Sequence, residues 1–122
     1  MTPTVDLKVM GSRGAVPITA IIDTGFDGYV CHQTLIAVRL GLDWVSQAYV
    51  ELADGTVKKE LLFAGAVHFL GETHEVDIYL TDSDDALIGT SLLADCRLLV
   101  DFPAAAVRLT RKPPRRGKRK AE

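Results

Sequence analysis

The residue most able to do chemistry is a carboxylate at the end of an apolar run. Asp23-Thr24-Gly25 follows Ile18-Thr19-Ala20-Ile21-Ile22. The run reads as a buried β-strand that delivers Asp23 into a tight glycine turn. A charge in that position is costly to bury without a partner. The chemistry it fits is a pair of carboxylates that share one proton and activate a water. The chain holds one such triplet in 122 residues, so the second carboxylate would come from a second copy. Taken alone, the triplet also fits a β-turn closed by an Asx hydrogen bond.

The elements that must position Asp23 are mainly strands. Val5 to Met10 alternates loosely, Gly11 to Gly14 turns, and Ala15 to Ile22 returns with Val16, Ile18, Ala20 and Ile22 on one face. Pro17 lacks an N–H, which favours an edge or a bulge. His32 to Leu40 reads as a short helix with Leu35 and Val38 on one face, Leu42 beyond and Ile36 and Leu40 beside them, and with Gly41 ending it in a left-handed conformation. Gln47 to Ala53 alternates, with Ala48, Val50 and Leu52 on one face. Asp54-Gly55 predicts a two-residue hairpin turn. Thr56 to Leu70 predicts a long return strand, and Thr73 to Thr81 another with Val76, Ile78 and Leu80 inward. Asp82 to Asp85 is an acidic turn. Ala86-Leu87-Ile88 is a second apolar run before Gly89. Ser91 to Cys96 predicts one or two helical turns, and Leu98 to Phe102 and Ala105 to Leu109 the last strands, broken at Pro103.

Composition bounds the rest. The length fits one domain, and a hydrophobic content of 48% is enough to fill one core. No apolar stretch approaches the roughly 20 residues of a membrane span, and the N-terminus has no signal-peptide pattern. The expected location is cytoplasmic. The net charge of −2 hides an asymmetry: seven basic residues and one acidic lie between Arg111 and Glu122, against seven basic and fifteen acidic before them. The basic stretch predicts a disordered tail, and any nucleic-acid contact would run through it alone. Cys31 and Cys96 form no CxxC pair and read as buried, reduced thiols. His32, His68 and His74 lack ligand spacing, and Asp82, Asp84 and Asp85 lack the rest of a calcium loop. Trp44 reads as a core or interface aromatic.

Three segments, in order, carry a family resemblance. Ile21-Ile22-Asp23-Thr24-Gly25-Phe26-Asp27-Gly28, the Asp54-Gly55 tip and Leu87-Ile88-Gly89 resemble the retropepsin-type aspartic proteases, in particular small prokaryotic single-domain members of that clan. The resemblance covers about Val5 to Thr110. It implies a mainly β fold: a closed retropepsin-like acid-protease barrel with a flap hairpin and two short helices over residues 1–110, followed by the tail, 111–122. It implies an aspartic endopeptidase, active as a homodimer, that cleaves a peptide or protein substrate with no cofactor and no metal. Asp23 of each copy would be catalytic, with Thr24 bonding across the dimer and Gly25 allowing close approach. Phe26 and Asp27 would meet the substrate together with Ala53, Asp54, Gly55 and Thr56 of the flap. Leu87, Ile88 and Gly89 would pack beneath the site. Phe26 stands where a small residue often follows the triplet, and the flap is short and polar. The alternative is a non-proteolytic module of the same fold that binds peptides or dimerises.

Overall fold

The computed structural model describes residues 1–51, 53–81 and 84–111. The expectations for Leu52, for Asp82 and Ser83, and for the tail from residue 112 onward lie outside the described residues. Among the described residues, nine strands and one helix follow one another: β1 (Thr4–Gly11), β2 (Gly14–Ile22), β3 (Val30–Gln33), α1 (Leu35–Leu40), β4 (Asp43–Glu51), β5 (Val57–Phe69), β6 (Glu72–Thr81), β7 (Ala86–Ile88), β8 (Cys96–Asp101) and β9 (Ala106–Arg111). Among the described residues, no helix is long and apolar enough to cross a membrane.

One sheet runs in the order β1-β2-β7-β3-β6-β5-β4, and a further pairing of β1 with β5 closes its first six strands into a barrel. Alternation in the sequence explains the closure. Leu7 and Val9 of β1, Ala20 and Ile22 of β2, Val67 and Phe69 of β5, and Val76, Ile78 and Leu80 of β6 point inward and are buried. Their opposite neighbours face solvent. The closed arrangement pairs every edge but those its irregular strands leave open. Pro17 of β2 stands opposite Lys8 of β1, beyond the short stretch in which β2 meets β7, so its missing N–H falls on a free edge as expected.

Beyond the barrel, β4 and the first part of β5 form a projecting two-stranded ribbon. β5 meets β6 only from Leu61 onward, so Val57 to Glu60 pair with β4 alone. The alternation read in β4 therefore does not become a buried face. Asp43 to Tyr49 are all exposed, and Trp44, expected in a core or interface, is 61% exposed in this single chain. A second hairpin, β8 with β9, packs Leu98, Val107 and Leu109 against the core from outside.

Four local expectations are corrected. His32 and Gln33 belong to strand β3, because β6 pairs with them along its whole length; the helix starts only at Leu35. That helix buries Ile36, Ala37 and Leu40 and leaves Leu35 and Val38 outside. The segment from Ser91 to Cys96 is a chain of turns rather than a second helix, tied by the Leu92 and Leu93 amides to Gly89 O and by Cys96 N to Leu93 O. The two-residue hairpin turn also lies elsewhere. It is Leu70-Gly71, between Phe69 and Glu72, with φ of 50° and 81°. The flap ladder stops at Glu51 and Val57, so its reversal takes more than two residues. Gly41 ends α1 at φ 66°, as expected, its N–H donating to Ala37 O.

Candidate active site

β7 organises the site. It runs parallel to β2, with Ile22 opposite Ile88, and antiparallel to β3, with Val30 opposite the same Ile88. The chain leaving β2 must therefore arch over the end of β7 to enter β3. Residues 23–29 are that arch, and Asp23 is its first residue. The apolar runs of β2 and β7 bury Ile22 and Ile88 side by side, which fixes where the arch begins.

The arch is held from both sides. Asp23 N donates to Ile88 O at 3.0 Å, and Gly89 N donates to Tyr29 O at 3.1 Å. Thr90 N donates to Phe26 O at 2.8 Å, and Ser91 N to Gly28 O at 3.2 Å. The Ser91 hydroxyl adds a 2.6 Å bond to Asp27 O. Within the arch, Phe26 N donates to Asp23 O, and Gly25 N donates to Asp23 Oδ1 at 2.9 Å. This last bond is an Asx turn. It orients the carboxylate and leaves Oδ2 for other work. Asp23 is half-buried, while Thr24, Gly25 and Asp27 are exposed.

Glycine is required at two places by close approach. A Cβ on Gly89 would meet the carbonyl oxygen of Phe26 and lie 2.5 Å from that of Gly28. One on Gly28 would lie 2.6 Å from the Phe26 ring. Phe26 folds back over these glycines and meets Tyr79 of β6, with ring centroids 5.9 Å apart at 55°. Sequence reasoning did not single out Tyr79, Thr90 or Ser91 for this site. The signal for the latter pair was their place directly after Leu87-Ile88-Gly89.

The residues expected at a flap tip form a separate cluster. Asp54 Oδ1 accepts from Thr56 N at 3.0 Å and from Thr56 Oγ1 at 2.7 Å. The Thr56 hydroxyl, then its amide, hold the Asp54 carboxyl below the usual carboxylate range. Gly55 takes φ 88° between them, where glycine is at ease. Ala53, Asp54, Gly55 and Thr56 are all exposed. In one copy of the chain, the bonds of Asp54 run to Thr56 and those of the Asp23 carboxylate to Gly25.

Other sequence-marked groups fall as follows. Cys31 is buried beside Tyr79's strand, and Cys96 is half-buried; both are free thiols. Burial pushes the pKa of each upward. His32 is half-buried, accepts from Gln33 N at Nδ1, and is pushed below its ordinary pKa by desolvation. His74 lies near Arg111, and Arg111 Nη2 donates to Phe69 O at 3.1 Å. Arg111, read as the first residue of the tail, is thus the last residue of β9.

No protein-family model matches the chain, and no curated protein matches it significantly. Solved structures do. The EIAV protease complexed with the inhibitor HBY-793 is 16% identical and superposes with a TM-score of 0.62 over 78% of this chain and 88% of that one. The simian foamy virus (mac) protease is 14% identical, with a TM-score of 0.55 over 75% and 92% of the two chains. The retroviral protease-like domain of Ddi1 from Leishmania major is 15% identical, with a TM-score of 0.53 over 93% and 95%. The fold is that of the retropepsin-like aspartic proteases.

Proposed function

We propose that the chain is an aspartic endopeptidase whose active form is a homodimer. The carrying observation is the placement of Asp23: the first residue of a rigid arch, half-buried, with one carboxylate oxygen fixed by Gly25 N. The arch supplies one carboxylate, and the dyad needs two. An isologous dimer brings a second Asp23 to the two-fold axis. Two facing carboxylates share one proton because both cannot ionise cheaply at close range. The ionised member takes a proton from a water. The protonated member donates to the oxygen of the scissile carbonyl. No covalent intermediate, metal or cofactor enters.

The remaining roles follow from position. Thr24, exposed beside Asp23, is placed to bond its counterpart in the second copy. The projecting ribbon closes over an extended peptide, with Ala53 to Thr56 at its tip and Phe26 and Asp27 on the floor. Leu87, Ile88 and Gly89 hold the arch from beneath. The protease domain, expected to end at residue 110, extends through Arg111 at the end of β9, and the basic tail follows it. Digestion of a peptide library at about pH 4–6, where a shared-proton pair should work, tests this. Cuts that disappear in Asp23→Asn support it. Cuts that persist remove Asp23 from the mechanism.

A second reading has its own observation. The Phe26 ring covers Gly28 and packs on Tyr79, putting a bulky side chain within the arch itself. That fits a domain that binds peptides or dimerises without cutting them. Absence of any cleavage, with peptide binding retained, would favour it.

A further inference from the structure

β7 is three residues long, and its shortness leaves a gap in the barrel wall. β2 meets β7 only at Ala20, Ile21 and Ile22. Before Ala20, no strand among the described residues lies beside the edge of β2 that faces away from β1. Ile22 N donates to Pro3 O across the β1 side. Antiparallel pairing then turns the even residues of β2 toward β1 and the odd ones, Ala15, Pro17 and Thr19, toward the gap. Helix α1 forms the opposite bank. Between them lies a groove of about 490 Å³.

The groove has a distinct chemistry. Ile18 and Leu35 give it an apolar stretch, and Leu35 is 71% exposed at its rim. Arg13 and Arg39 line it, and no Asp or Glu is among its described lining residues. Arg13 is anchored by a 3.4 Å bond from Nη1 to Val38 O. Gln33, also in the lining, directs its amide to Asp84. Before the tail, the chain carries fifteen acidic and only seven basic residues. Two of those seven cations meet at this one groove, which makes it more basic than the rest of the body, with Asp84 at its edge through Gln33.

We propose that this groove docks an acidic, extended segment of a partner protein, at a site separate from Asp23. The segment lies along the free edge of β2, with carboxylates against Arg13 and Arg39 and a small apolar side chain between Ile18 and Leu35. Ala15 supplies a backbone donor and acceptor, Thr19 only its amide because its carbonyl already serves β7, and Pro17 only its carbonyl. The missing donor weakens indiscriminate strand pairing and leaves selection to charge and to the apolar contact. The chain's own tail has the wrong sign for this groove.

The test is fluorescence anisotropy on the Asp23→Asn protein, which keeps the probe uncut. The probes are dye-labelled Glu-Val and Lys-Val repeats of about eight residues, within ordinary strand length. The acidic probe should bind, and more weakly as salt is added. Arg13→Glu combined with Arg39→Glu should lower its affinity by about tenfold or more, while Arg39→Lys keeps it. Leu35→Asp, at an exposed position, should also weaken it and serves if the double variant melts abnormally. Peptide cleavage by the double variant carrying native Asp23 should be unchanged. Equal binding of both probes, or unchanged affinity in the charge-reversed and Leu35→Asp variants, overturns the proposal. So does a change in sedimentation caused by the charge reversal, which would make the groove a contact between copies.

Discussion

The arch at residues 23–29 and the ribbon of β4 and β5 are held in opposite ways. The arch is bonded from β7 and from residues 89–91, and it cannot accept a side chain at Gly89 without moving. Among the described residues, the ribbon's outer part is held by its own ladder, by the Asp54–Thr56 turn and by a 3.4 Å bond from Lys58 Nζ to Thr81 Oγ1 of β6. Its residues from Asp43 to Tyr49 are exposed. One region ties its carboxylate-bearing residue down from two sides. The other has few buried contacts, which places it at the low end of local stability. A catalyst that must admit a peptide and then enclose it needs both.

The largest effect should come from the arch's own carboxylate. Asp23→Asn should lower cleavage by at least about 10²–10⁴-fold, the usual worth of a general acid or base, while the thermal melt stays in place. The amide keeps an oxygen to accept from Gly25, so the turn survives. A variant that loses both activity and fold would mean that Asp23 is mainly structural.

Next in size is a stability effect. Gly89→Ala drives a methyl group into the Phe26 and Gly28 carbonyls and should cost about 1–3 kcal/mol, read by urea unfolding. Gly55→Ala adds a Cβ at φ 88° with nothing within 4 Å of it. Its cost should be about 1–2 kcal/mol of local backbone strain, felt in the flap more than in the global melt. Equal losses of global stability from the two changes would erase the contrast between the regions. Hydrogen exchange gives a finer reading: the Asp23 and Phe26 amides should be better protected than those of Val57 to Lys59.

The smallest expected effect is a pH dependence. Burial holds the His32 pKa below that of an unfolded histidine, about 6.5. Between the folded value and 6.5 the unfolded chain binds more protons, so stability rises with pH in that window. It is fully present above about pH 6.5 and lost as pH falls. The melting temperature should therefore drop from about pH 7 to pH 5, and by less in His32→Gln. The drop is modest because the ring is half exposed. Asp54, also depressed, acts in the same direction at lower pH.

Much of the arch was legible before any coordinates. A carboxylate, a glycine and an apolar strand are adjacent in sequence, and an Asx turn needs only two residues. The inward face of β2 and the left-handed Gly41 were local in the same sense. The misses share a different cause. α1 is Leu35-Ile36-Ala37-Val38-Arg39-Leu40, apolar at all but one position, so periodicity cannot choose which stripe meets the core. His32 and Gln33 are strand because β6 offers them a partner from far along the chain. The segment after Ser91 closes single turns on Gly89 and Leu93 that do not propagate, while the Thr90 and Ser91 amides before it are spent on the distant arch.

By itself, then, the order of residues determined the local pieces: an acid held in a glycine turn, alternating strands that had to bury one face, and an acidic body before a basic end. Only the tertiary structure decided that β7 would slot between β2 and β3, and so that Asp23 would stand at the head of an arch with Gly89 beneath it. It also left β2 with an open edge beside α1. The physical reason is range. Turns and alternation are set by neighbours in the chain, whereas strand partners and the gaps between them are set by which distant surfaces close the barrel.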